Sequence, residues 1–167
     1  MNFYPQAHPV KDSYLHSACA LGNLALVRML ADVLEVESVD EKLGRTPLMQ
    51  AVDNDCFEVS QYLLQTKNAR WDVADVNGDN CLHLAARSSD GRLLELIVAR
   101  AMTSVDALNT RGETALLCAV KCGRTANVKL LLNQGADVKV RDEEGRSALD
   151  WATANKSKEI ADVLQGK

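Results

Sequence analysis

Five copies of one heptapeptide skeleton, set at an almost constant step, constrain this 167-residue chain more than any other feature. Thr46-Pro47-Leu48-Met49-Gln50-Ala51-Val52, Asn80-Cys81-Leu82-His83-Leu84-Ala85-Ala86 and Thr114-Ala115-Leu116-Leu117-Cys118-Ala119-Val120 are the fullest copies. Ser13-Tyr14-Leu15-His16-Ser17-Ala18-Cys19 and Ser147-Ala148-Leu149-Asp150-Trp151-Ala152-Thr153 flank them. The copies begin at residues 13, 46, 80, 114 and 147, giving steps of 33, 34, 34 and 33 residues. A period of that size predicts a solenoid, in which each unit buries its apolar face only by stacking on its neighbours. Such a stack presents a long surface rather than a deep pocket.

Within each unit, counted from its Thr-like residue as position zero, leucine falls at position two (Leu15, Leu48, Leu82, Leu116, Leu149) and alanine at position five (Ala18, Ala51, Ala85, Ala119, Ala152). Positions two, five and six share one helix face, and the small residues let a neighbouring helix approach. Gly22, Asp55, Ser89, Gly123 and Lys156 follow at position nine, where a left-handed residue would close the first helix. A second apolar set at helical spacing then begins, as in Leu26, Val27 and Leu30, or Val128, Leu131 and Leu132. Each unit therefore reads as two helices, each too short to be stable alone. Between units, Asp75-Val76-Asn77-Gly78, Asn109-Thr110-Arg111-Gly112 and Asp142-Glu143-Glu144-Gly145 carry the chemistry of tight turns, which should project as fingers.

Composition removes several functions. With 47% hydrophobic and 25% charged residues the chain is that of a folded protein. A net charge of -4 supplies no basic field, so nucleic acid is not an expected partner. No apolar run approaches the roughly 20 residues of a membrane helix, and the opening Met1-Asn2-Phe3-Tyr4-Pro5-Gln6 lacks the build of a secretory signal. Membrane insertion is not expected, and an intracellular protein is. Five cysteines without paired spacing make a poor disulfide framework. Cys118 and Cys122 could share a helix face, but two thiols are an incomplete metal site, so no metal or cofactor is expected.

The motifs resemble those of the ankyrin-repeat family. Its pattern, Gly-x-Thr-Pro-Leu-His-x-Ala-Ala with a later Gly-Ala-Asp-Val, stands here in pieces as Gly44-Arg45-Thr46-Pro47-Leu48, Leu82-His83-Leu84-Ala85-Ala86 and Gly135-Ala136-Asp137-Val138. The resemblance spans about residues 12 to 164 and implies an all-α solenoid of five helix-turn-helix units with β-turn or hairpin fingers. One domain over 1–167 is expected, with repeats at about 8–40, 41–74, 75–108, 109–141 and 142–167 behind an irregular leader, 1–7. The family's bond between the position-zero side chain and the position-three histidine carries over to Ser13 with His16 and to Asn80 with His83. It does not carry over where Met49, Leu117 and Asp150 replace the histidine. The second and third repeats hold one extra residue in the loops 65–74 and 99–108, and neither keeps the Gly-Ala-Asp run; Trp71 and Val105 align with Val138. The last helix offers Lys156, Lys158, Glu159, Asp162 and Gln165 as a polar cap, and Phe3, Tyr4 and Val10 are available to lie across the first helix pair.

Catalysis finds little support. His16 and His83 sit at the structural position of the repeat, His8 lies in the leader, and no nucleophile motif or phosphate-cradling loop is present. The resemblance instead implies a protein partner docked on a concave face. That face comprises the finger residues Leu43, Arg45, Val76, Asn77, Asp79, Thr110, Arg111 and Glu113, then Glu143, Glu144 and Arg146. The first helices add Asp53, Asn54, Arg87, Ser88, Lys121 and Cys122. These are positions the packing pattern leaves free, and arginines among apolar tips with both charge signs suit a protein surface. The chain is thus expected to be a monomeric, non-enzymatic adaptor, scaffold or inhibitor. A stoichiometric inhibitor of a kinase or transcription factor and a structural spacer are the alternatives. Cyclin-dependent kinase inhibitors of this family shorten the first helix of their second repeat, whereas Thr46 to Asp53 reads as full length.

Overall fold

The computed structural model describes residues 9–100 and 105–166. Expectations for His8, for Phe3 and Tyr4, for the side chains of Val10 and Ser13, and for part of the loop 99–108 fall outside them.

Among the described residues ten helices follow one another as five pairs: α1 (Pro9–Ala20) with α2 (Leu24–Leu30), α3 (Pro47–Asp53) with α4 (Phe57–Thr66), α5 (Cys81–Arg87) with α6 (Gly91–Val98), α7 (Ala115–Lys121) with α8 (Thr125–Asn133), and α9 (Ala148–Ala154) with α10 (Lys158–Leu164). The first helices pack in sequence, α1 on α3 on α5 on α7 on α9, and the second helices form a parallel row of contacts behind them. Among the described residues there is no strand, only an isolated bridge between Arg141 and Ser147. The fold is an all-α solenoid.

Position zero is the N-cap. The side chains of Thr46, Thr114 and Ser147 each accept from the backbone N–H three residues on, and Asn80 accepts from those of Leu82 and His83, satisfying donors a seven-residue helix would otherwise leave bare. Asn80 and His83 form the expected reciprocal box. The box also survives in α9, contrary to expectation: the Asp150 carboxylate accepts from the Ser147 backbone N–H at 2.8 Å, the part the histidine plays elsewhere.

Leu15, Leu48, Leu82 and Leu116 are fully buried between the helix layers, as are Ala51, Ala85, Ala119 and Ala152. Leu149 and Leu26 depart from the pattern and are exposed, because each faces an end of the stack where no neighbouring pair covers it. Position nine is left-handed at Gly22, Asp55, Gly123 and Lys156. Ser89 does not follow: the chain leaves α5 through an extended Ser88 (φ -56°, ψ 148°), and the hydroxyls of Ser88 and Ser89 both donate to Asp55 of the preceding pair. The loop after α4 keeps the geometry of the Gly-Ala-Asp run without its sequence. Asn68 takes the positive φ of Gly135, and Ala69 is buried like Ala136, which puts Trp71 level with Val138.

Candidate partner-binding face

Each finger is folded by the Asp or Asn that opens it. The Asp75 carboxylate accepts the backbone N–H groups of Asn77 and Asp79 at 2.8 and 3.1 Å. Asn109 does the same for Arg111 and Glu113, and Asp142 for Glu144 and Arg146. Asp40 closes a finger one residue longer, taking Lys42, Leu43 and Arg45. Neighbouring fingers are joined by single backbone bonds: Val76 N–H to the Leu43 carbonyl (2.9 Å), Thr110 to Asn77 (2.9 Å) and Glu143 to Arg111 (3.0 Å). Approach is closest at Gly78, whose φ is +73° and where a Cβ would lie 2.7 Å from the Thr110 nitrogen.

The histidines tie helices to fingers. His83 Nε2 lies 3.0 Å from the Ala107 carbonyl and 3.1 Å from that of Glu113, so this nitrogen carries the proton, while Nδ1 accepts from the Asn80 N–H at 3.3 Å. His16 Nε2 stands in the same relation to the Ser38 and Arg45 carbonyls, at 3.2 and 2.9 Å. Desolvation lowers the His83 pKa, against the opposing charge of Asp79.

Clusters of charge pairs cross this face. Arg45 lies 2.6 Å from Asp53 and 3.0 Å from Asp75. Arg87 grips Asp79 through two nitrogens, at 2.7 and 3.0 Å. Asn109 Nδ2 bridges Asp79 and Glu113, at 2.8 and 2.9 Å, and Arg111 and Lys121 complete the Glu113 carboxylate at 2.8 and 2.5 Å. Lys121 also sits 4.0 Å from the centroid of the Trp151 ring, which carries Arg146 at 3.6 Å and donates its Nε1–H to Asp142 at 2.8 Å. Burial alone would raise the Glu113 pKa, but the bonds from Arg111, Lys121 and Asn109 outweigh it and hold the group at about 2. Burial likewise works upward on Asp79, and its bonds with Arg87 and Asn109 bring it below the usual carboxylate range.

These pairs correct part of the sequence reading. Asp79 and Glu113 are only 2% exposed and Ser88 is buried; they are not free positions, because the stack turns them onto internal partners. Asp53, Asn54, Val76, Thr110 and Arg111 are exposed, as are Cys122, Glu143 and Glu144. Leu43, Arg45, Asn77, Arg87, Lys121 and Arg146 are half-buried, the four charged ones among them engaged as described. Cys118 and Cys122 do not form one site. Cys118 is buried with Sγ 3.2 Å from Arg87, burial pushing its thiol up to about 12, while Cys122 faces solvent.

Sequence reasoning missed Asn109, Asp142 and Trp151 as members of the network, and missed the pairing itself. A signal was present. The residue before each N-cap and the residue eight further on are opposite in sign in three successive repeats: Arg45 with Asp53, Asp79 with Arg87, and Glu113 with Lys121.

Stacked helix pairs with interlocked fingers define a repeat protein built for surface contact. The family model described as ankyrin repeats (3 copies) matches residues 5–75 and 82–167. The chain belongs to the ankyrin-repeat family, whose repeats are protein–protein interaction modules. It is 29% identical over 162 residues to the nuclear factor NF-kappa-B p105 subunit of Gallus gallus, a match covering 92% of this chain and 16% of that protein. It is 33% identical to the B-cell lymphoma 3 protein homolog of Mus musculus, over 92% of this chain and 36% of that protein. It is 32% identical to the palmitoyltransferase AKR1 of Lachancea kluyveri, over 84% of this chain and 20% of that protein. The chain thus spans well under half the length of these relatives. No helix among the described residues is long and apolar enough to cross a membrane.

Proposed function

We propose that this chain is a non-enzymatic, intracellular interaction module that binds a protein partner across its fingers and first helices. The observation that carries this reading is the linked row of fingers over a network of paired charges. Leu43, Val76, Thr110 and Arg111 are held on a backbone that needs no reordering to receive a partner, and pre-organisation of this kind removes part of the entropic cost of association. The buried thiols of Cys19, Cys81 and Cys118, which sit in the core as small apolar groups, support the intracellular assignment.

Arg45 and Arg87 are poor probes of such a site, since removing either strands a carboxylate. The test uses exposed groups: capture from a cell extract with wild type and with a Val76→Asp, Thr110→Asp variant of unchanged circular dichroism, then titration of the purified partner. A fall in affinity of about tenfold or more, roughly 1.4 kcal/mol, is expected. Equal affinity would move the interface off the fingers. A second reading is a stoichiometric inhibitor of a transcription factor, supported by the likeness to a nuclear-factor subunit. The kinase-inhibitor version is less well supported, because α3 has the same seven residues as α5, α7 and α9.

A further inference from the structure

The finger face turns its cations outward and its carboxylates inward, and we propose that the partner segment it takes is acidic, a short run of Asp or Glu side chains laid across Arg87, Arg111 and Lys121. This rests on the finger-face reading and gives that partner its chemistry. Asp79, Glu113 and Asp142 each keep 3% of the side chain exposed, whereas Arg87, Arg111, Lys121 and Arg146, which pair with them, keep 26%, 50%, 25% and 34%. Arg45 over Asp75 follows the same rule, at 12% against none. The reason is reach. The short carboxylates are held beneath by the Asn109 amide and by finger N–H groups, and the longer cationic side chains lie over them. A partner therefore meets guanidinium and ammonium groups first.

At the centre of the face, Arg87, Arg111 and Lys121 stand over Asp79 and Glu113, three positive charges on two negative ones. Asp142, 3.6 Å from Lys121, has Arg146 of its own at 3.9 Å. Arg111 spends Nε and Nη2 on Glu113, and among the described residues no acceptor meets its Nη1. Outward acids sit only toward the two ends of the row: Glu41 and Asp53 on one side, Glu143 and Glu144 on the other, with Asp53 paired to Arg45 and Glu144 to Arg146. Between them the fingers 75–79 and 109–113 and the helices α5 and α7 carry no outward carboxylate. That layout chooses among anions. Carboxylates are the groups a guanidinium fork matches best, and a few of them fill the central stretch. A nucleic-acid strand, charged at every phosphate, would run onto the acids at both ends. Complementarity of this kind sets partner choice and encounter rate.

Fluorescence anisotropy of the full chain with three labelled probes tests this: a short glutamate peptide, a lysine peptide of equal length and an oligothymidylate. The glutamate peptide should bind tightest, with an affinity that falls as salt rises. Arg111→Gln leaves Glu113 its bonds to Lys121 and Asn109 and should weaken that binding about threefold, the scale of one partly exposed charge pair. At Cys122, exposed beside Lys121, Cys122→Glu should weaken it and Cys122→Lys should tighten it, and thermal melts should show all three variants folded. A glutamate peptide that fails to bind, that binds no more tightly than the lysine peptide, or whose affinity ignores all three substitutions would overturn the proposal. Tighter binding of the oligothymidylate would overturn it in favour of nucleic acid. None of these outcomes touches the finger-face reading, which fails only if the Val76→Asp, Thr110→Asp variant keeps its affinity for the captured partner.

Discussion

Arg87 and Asp79 show how a surface-looking pair becomes structural. Asp79 is almost wholly enclosed and its charge is met by Arg87 and Asn109, so truncating Arg87 leaves a buried carboxylate without its cation. Arg87→Ala should cost about 3 kcal/mol in urea denaturation, and the double variant Arg87→Ala, Asp79→Asn should recover part of that loss. Equal losses in both would mean that the guanidinium stem, not its charge, carries the contact. Glu113 makes the matching statement about pH. Its folded pKa, about 2, lies below its ordinary value of 4.5, so the unfolded chain takes up the proton more readily than the folded one. The stabilisation is therefore complete above about pH 4.5 and is lost as pH falls toward 2. Glu113→Gln should flatten that limb of the stability curve.

The helix pair is the unit that packs, and the finger is the unit that registers one pair against the next. Leu82 and Leu116 fill the contact between first helices, so Leu82→Ala or Leu116→Ala should cost on the order of 2–5 kcal/mol through the cavity left behind. An unchanged thermal midpoint in both would refute that placement. Fingers answer to backbone instead. Gly78 and Gly145 both have positive φ, but a side chain at Gly78 meets the next finger whereas at Gly145 it meets open space. Gly145→Ala should show only the strain of a left-handed alanine, about 1 kcal/mol. Gly78→Ala should lose clearly more and should raise hydrogen exchange at the Thr110 amide. Equal losses would mean that the finger contact contributes nothing.

At the scale of the molecule, the main helix contacts among the described residues run between adjacent pairs, so stability is local and additive along the stack. Native-state exchange should find the α1–α2 and α9–α10 amides least protected and those of α5 and α7 most protected.

Much of this was legible in the chain itself. A period repeated five times, with leucine and alanine in fixed register and Asp or Asn opening each turn, determines the helix pairs, their caps and the face on which fingers stand, because these rest on interactions within a few residues. The exposure of Val76, Thr110 and Arg111 was legible for the same reason, since the repeat leaves a turn tip at each. Only the stacked structure decided that Asp79, Ser88 and Glu113 turn inward, that Asp150 stands in for a histidine, and that Leu26 and Leu149 lie uncovered. Each of those depends on what the neighbouring repeat brings within a few ångströms, and burial, with the charge pairing it demands, is settled by neighbours in space rather than along the chain.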